Sequence, residues 1–185
     1  MDQMDERVAR LKTAEDCEQF AKNALERNRP DLANEARKRA VELRAEACSA
    51  STQVEQECLA AVYAYEEVLT AKKHHRARAS TTWQAINRHG LLHAVERAVN
   101  RGAELPHHPA LLEMGLQDHA FEAVVVRHPE LFSAQTVQRS RRRVDEWKRI
   151  PQSLRVKDGS SGGARTTMDD GIDRADDSRV ERITR

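Results

Sequence analysis

A chain of 185 residues is long enough for one domain with a core and a tail, and short for two. Only 4% of the residues are aromatic, and Ala, Glu and Arg dominate, which favours helix over strand and calls for a core of small and leucine-like side chains. The net charge of +1 hides a polarised chain: residues 1–71 carry 10 Lys+Arg against 15 Asp+Glu (−5), residues 72–150 carry 14 against 8 (+6), and residues 151–185 carry 7 against 7, which points to an anionic partner for the second part or to self-association of acidic with basic surface.

No apolar run approaches the roughly eighteen residues needed to span a bilayer. The opening "MDQMDERVARLK" is charged where a signal peptide has an apolar centre, so the reading is a soluble cytoplasmic protein.

In chain order, Thr13 followed by Asp16 has the form of a capping box and predicts a helix from about Ala14 to Arg27, with Cys17, Phe20, Ala21, Ala24 and Leu25 on one stripe. Val8 and Leu11 before it extend this helix or form a frayed one. Asn28 ends it, and Pro30 suits the first turn of the next helix, where its missing amide hydrogen is not needed. There Leu32, Ala33, Ala36, Ala40, Leu43 and Ala47 face back toward the first stripe, small enough for a close approach of the two axes. The pair is similar to one unit of a tetratricopeptide-type hairpin over about 35 residues, but no second copy occurs at that period, so no solenoid is expected.

Thr52 with Glu55 forms a second capping box. It opens a third helix in which Val54, Cys58, Ala61, Val62, Tyr65, Val68 and Leu69 recur at intervals of three and four, the strongest periodic signal in the chain, with Tyr63, Glu66 and Glu67 toward its other faces. "KKHHRARAS" follows without an apolar stripe, as a solvated helix end or a mobile loop.

Thr81 with Gln84 is expected to cap a helix bearing Trp83 and Ile86, Gly90 to supply the left-handed residue that ends it, and Leu91, Leu92, Val95, Ala98 and Val99 to mark the next. "RGAELPHHP" reads as a loop and "PALLEMG" as two turns closed by Gly115. "QDHAFEAVVVRH" reads as a buried segment carrying Phe121, Val124 and Val125; its three valines also suit a strand, but Pro129 and the neighbouring Ala and Glu favour helix. Ser133 caps a last helix that runs to about Arg149, where Pro151 stops it. From about residue 152 apolar residues are sparse and "GSSGGA" is flexible, so disorder is expected.

The fold class that follows is all-α: an N-terminal hairpin plus a long third helix (14–74), a bundle of short helices (80–150), and a disordered tail (151–185).

Candidate chemistry is sparse. Cys17, Cys48 and Cys58 are odd in number, far apart and in no CxxC arrangement, which indicates neither a disulfide framework nor a thiolate metal knuckle. Eight histidines invite a metal reading, but His89 and His93 straddle Gly90 and no HExxH is present, so no metal site is expected. "PDLANEARK" (Asp31, Glu35, Lys38) and "DEWK" (Glu146, Lys148) resemble nuclease fragments, yet both fall on predicted helices, where capping and surface pairing explain them. With no phosphate loop and no GxSxG, neither an enzyme nor a cofactor is expected.

The basic clusters carry the functional reading. "KKHHRAR" holds Lys72, Lys73, Arg76 and Arg78 beside two histidines, and "RSRRR" places Arg139, Arg141, Arg142 and Arg143 on about one helical turn; each could neutralise several phosphates with an affinity that falls steeply with salt. No aromatic residue is interleaved with either cluster, which speaks against a stacking platform for single strands. "TTWQAINRHGLLHAVERAVNRG" superficially fits a helix-turn-helix with His93, Arg97, Asn100 and Arg101 toward DNA, although Glu96 falls where the second helix should supply packing; two bundle helices meeting at a glycine is the plainer account.

"PDLANEARKRAVELRA", "AVYAYEEVLTAK", "RASTTWQAINRHGLLHAVERAVNRG" and "LLEMGLQDHAFEAVVVRHPELFS" together resemble a bacterial all-helical module that accompanies defence or mobile-element proteins. The resemblance covers about residues 14–145 and implies an accessory or nucleic-acid-associated role with no catalytic motif to carry over. The leading expectation is a non-enzymatic accessory protein that binds nucleic acid, DNA above all, mainly through phosphates. Lys72, Lys73, Arg76, Arg78, Arg139, Arg141, Arg142 and Arg143 are the contact residues, with Arg97 and Arg101 as groove candidates. The competing expectation is a protein-interaction adaptor of a multi-component system, possible as a homodimer, using the hairpin and the exposed part of the third helix.

Overall fold

The computed structural model describes residues 4–73, 75–101 and 108–149. Among them lie nine α-helices, two short 3-10 turns and no strand. Of the loop expected over 101–109, Arg101 ends one helix and His108 and Pro109 open the next, while residues 102–107 and the tail expected from 152 lie outside the described residues.

A short first helix, α1 (Glu6–Ala9), is capped by the Asp5 carboxylate, which accepts from the Arg7 amide at 2.9 Å. It is separate from the next helix, and it anchors the hairpin by burying Val8 completely. Helix α2 (Ala14–Glu26) starts where Thr13 Oγ1 accepts from the Asp16 amide at 3.1 Å, as the capping pattern predicted. Asn28, at φ 55°, makes the left-handed turn into α3 (Pro30–Glu46), whose first residue is the proline. Cys17, Ala21 and Ala24 pack on Ala33, Ala36 and Ala40 with almost no exposure, the close alanine-on-alanine approach expected. Two expected stripe members differ. Leu25 is 44% exposed and Ala47 lies beyond the helix, its place in the core taken by Val41 and Ala45.

Helix α4 (Gln53–Lys73) is the axis of the molecule. Its capping box is complete: the Glu55 amide donates to Thr52 Oγ1 at 3.2 Å, and the Glu55 carboxylate accepts from the Ser51 and Thr52 amides at 2.7 and 3.2 Å. Cys58, Ala61 and Val62 belong to one core cluster, and Leu59, Ala60, Ala64 and Val68 to another. A helix buried on two sides shows a weaker stripe than an amphipathic one, and Val68, expected on the stripe of Cys58 and Val62, belongs to the other face.

The first cluster joins α4 to α6 (Leu91–Arg101), α8 (Phe121–Arg127) and α9 (Ala134–Arg149). The second joins it to α3 and α7 (His108–Glu113). The valines of α8 are helical, with Val124 and Val125 fully buried. Between α7 and α8, Gly115 adopts φ 70°, and a Cβ there would stand 2.8 Å from Asn34 Cβ, so both backbone and space require glycine.

His119, in the 3-10 turn Gln117–His119, has a largely buried side chain near Lys38 and Arg127, with Glu42 3.9 Å away. Burial, reinforced by those two cations, pushes its pKa down from 6.5 to about 4. The unfolded chain therefore takes up this proton more readily than the folded one, and stability is lost as pH falls from about 6.5 toward 4. Urea denaturation at pH 7 and pH 5 is expected to show that loss, about 2 kcal/mol from this residue, and His119→Gln is expected to remove that part of it.

Candidate nucleic-acid interface

Residues 75–79, between α4 and the next helix, are held, not loose. The Ala77 amide donates to Thr70 Oγ1 at 3.0 Å and the Ala79 amide to Glu66 Oε1 at 2.9 Å, with both alanines buried. Arg78 between them and Arg76 before them stay exposed. Helix α5 (Ser80–His89) then begins at an alanine N-cap without a side-chain cap, not at the Thr81 box that the sequence suggested. The reason is tertiary: Glu66, thirteen residues upstream, takes the Ala79 amide and also the Trp83 indole N–H at 2.7 Å, fixing the start of the helix from outside it. Ser80, Thr81 and Thr82 thus stand together in the first turn.

The indole held by Glu66 has the Arg78 guanidinium 5.2 Å above its ring, a cation–π arrangement that orients the arginine. Arg78, Lys73 and Arg101 come from three different elements and line one cleft of about 400 Å³ with the three hydroxyl residues. Among the described residues none of these cations has a carboxylate partner. The cleft leads onto α6, whose exposed His93, Arg97 and Arg101 are spaced four apart and form one stripe.

The remaining candidates are distributed differently. Arg76 lines a cleft of about 490 Å³ against the hairpin, where Arg44 bridges Glu18 and Glu67 and the two signs of charge offset each other. Lys72 is exposed at the end of α4. In "RSRRR" the four arginines do not share a face. Arg139 donates to the Asn100 carbonyl at 3.1 Å and to Asn100 Oδ1 at 2.6 Å, while Arg143 donates to the Val99 carbonyl at 3.0 Å and to Glu122 at 2.8 Å. Both therefore satisfy carbonyls in the last turn of α6 and sit at the negative end of its dipole. These bonds hold both side chains against the fold, unlike the freely projecting cations expected from the cluster. Arg141 and Arg142 remain on the outer face, Arg142 within 3.7 Å of Glu146.

The helix-turn-helix fit also changes in detail. Gly90 ends α5 at φ 84°, with its amide bonded to the Ile86 carbonyl at 2.9 Å, as expected of the hinge. Glu96, the residue that looked misplaced, accepts from the Ser133 amide at 3.1 Å and from Thr136 Oγ1 at 2.9 Å, so it caps and docks α9. Those hydrogen bonds, Ser133 first, hold its carboxyl below the usual glutamate range. Asn100 donates to Thr136 at 2.9 Å. The Glu96–Asn100 side of α6 is thus occupied by α9, leaving the His93–Arg97–Arg101 side exposed.

Aromatic rings do reach the basic residues, contrary to what the clusters alone suggested. Trp83 lies under Arg78, and Tyr65 and Phe121, 6.0 Å apart and tilted at 55°, line the cleft. Tyr65 precedes Lys73 by eight residues and Phe121 follows Arg101 by twenty, so neither ring is interleaved with a basic cluster. Among the described residues no group of three or more His, Cys, Asp or Glu stands close enough to hold a metal ion, and no helix is long and apolar enough to cross a membrane. The nuclease-like residues are engaged structurally: Asp31 pairs with Arg29 at 2.7 Å, and Glu35 accepts from the Asp5 amide at 2.8 Å.

The class of protein defined here is an all-α assembly around one central helix, with a cationic cleft where three helix ends meet. The chain matches no family model, no curated protein and no solved structure.

Proposed function

We propose that the protein is a non-enzymatic accessory factor that binds nucleic acid through phosphate contacts centred on Lys73, Arg78 and Arg101 and continued along α6 by Arg97. The observation that carries this reading is the convergence of three cations on one cleft, none of them in an ion pair among the described residues. Like charges held together repel, and a concave, low-dielectric wall focuses their field onto whatever anion enters. Lys72, Arg141 and Arg142 add exposed positive charge, whereas Arg76, Arg139 and Arg143 are left out of the contact set because of their intramolecular surroundings.

The adaptor reading has less to support it. Leu25 and Leu131 are the large apolar side chains exposed among the described residues, and they lie on different elements, where isolated apolar groups are ordinary surface.

Fluorescence anisotropy with labelled duplex and single-stranded DNA, titrated at several salt concentrations, tests the proposal. Micromolar binding whose log affinity falls linearly with log salt is expected. No binding to either at low salt would remove it.

A further inference from the structure

The cleft between the end of α4, the start of α5 and the end of α6 is not a flat basic surface. Its rim is charged: Lys73, Arg78 and Arg101 surround the three first-turn hydroxyl residues of α5. Apolar residues line it as well: Tyr65, Leu69, Ala98 and the largely buried Phe121 come from α4, α6 and α8. At about 400 Å³ it falls within the size range of sites for small organic ligands, and a bare phosphate would leave the apolar part empty. A duplex backbone, being convex and fully polar, would meet the rim and never the lining.

We infer that this cleft holds a single unpaired nucleotide, its phosphate against Lys73, Arg78 and Arg101 and its base against the Tyr65 and Phe121 end. This deepens the nucleic-acid reading and rests on it: the strand would run along the α6 stripe and insert one nucleotide where the stripe ends. Each part of the ligand has a matching chemistry in the cleft. The guanidinium fork of Arg78, oriented by Trp83, suits bidentate phosphate contact, and every base has a π-face to offer an aromatic wall irrespective of sequence. Single strands should accordingly bind more tightly than duplexes of equal length, because only they can yield a base without breaking a pair.

Calorimetric titration of the full chain with adenosine 5′-monophosphate, adenosine and inorganic phosphate tests this, run beside the anisotropy measurement on duplex and single-stranded DNA. Adenosine 5′-monophosphate is expected to bind at one site, at least ~10-fold more tightly than either fragment, since both halves of the cleft must contribute. Ala98→Phe, which fills the apolar end and leaves every charge in place, is expected to abolish that preference and reduce the response to phosphate little. Lys73→Gln, on an exposed position that disturbs no packing, is expected to weaken the nucleotide several-fold, and so keeps the test valid should the filled variant fold poorly. DNA binding with no nucleotide binding, or with the nucleotide no better than phosphate, overturns the inference and leaves the broader reading standing. Absence of both nucleotide and DNA binding overturns the two together.

Discussion

Replacing Lys73, Arg78 and Arg101 together by glutamine is expected to lower affinity for a single-stranded oligonucleotide by ~30-fold or more, which corresponds to about 2 kcal/mol. On the proposed reading each side chain would supply one charge-assisted contact to a phosphate oxygen, worth less than a buried one because the cleft is open to solvent and screened by salt. Glutamine keeps the length and polarity of the side chains and removes the charge. The same variant should therefore also flatten the salt dependence: three phosphate contacts correspond to a log–log slope of about −2 on single strands, and that part of the slope should disappear. Among the described residues none of the three makes an ion pair, so the fold is expected to tolerate the change. Anisotropy titrations of the triple variant at three or more salt concentrations, with far-UV circular dichroism as a control, measure both numbers. A charge-neutral change elsewhere on the molecule should do neither.

Arg143→Met is expected to act in the opposite way, with a large loss of stability and a small effect on binding. The Arg143 side chain is 17% exposed and Glu122 only 9%, and their 2.8 Å pair lies between α8 and α9. Removing the cation leaves a carboxylate buried without its counter-charge, and frees the Val99 carbonyl as well. Breaking one partner of such a pair costs about 3–5 kcal/mol, a large part of the stability of a domain this size, and should lower the melting temperature by on the order of 10 °C. Replacing both residues, Arg143→Met with Glu122→Leu, is expected to recover most of that loss, because the desolvation of two charges is then no longer required. Differential scanning fluorimetry of the single and double variants decides the point. The contrast with the cleft variant separates arginines that hold the fold together from those proposed to face a ligand.

That separation was only half legible in the sequence. In "QTVQRSRRR", Thr136, Val137 and Ser140 are buried, and Arg139 and Arg143, three and four residues away, lie on the same inward side. The helical period contains this information, but a cluster of four basic residues read as a unit conceals it. Helices α2, α3 and α4 could be placed from their caps and from Pro30 because the interactions that start them are local: Thr13 bonds the amide three residues on, and Thr52 exchanges bonds with Glu55. The start of α5 was not legible for the converse reason, since its leading amide is satisfied by Glu66 on another helix.

The cleft is further still from the linear pattern. Lys73, Arg78 and Arg101 span 29 positions, and Phe121 lies 56 beyond Tyr65, so only the packing of α6 and α8 onto α4 brings them together. The sequence did contain the net positive charge of residues 72–150. It did not contain the division of that charge into a cationic cleft, a neutralised one beside Arg44, and a pair of arginines capping α6.

Chemical-shift mapping by heteronuclear NMR, with an eight-residue oligothymidine added stepwise to the isotope-labelled full chain, tests the location of binding most directly. The largest shifts are expected at the amides of Ser80, Thr81 and Thr82 and at Lys73, Arg97 and Arg101, with α2 and α3 unmoved. Shifts centred on Arg141 and Arg142, or on the acidic hairpin, with the Ser80–Thr82 amides unchanged, would contradict the assignment of the cleft as the nucleic-acid site.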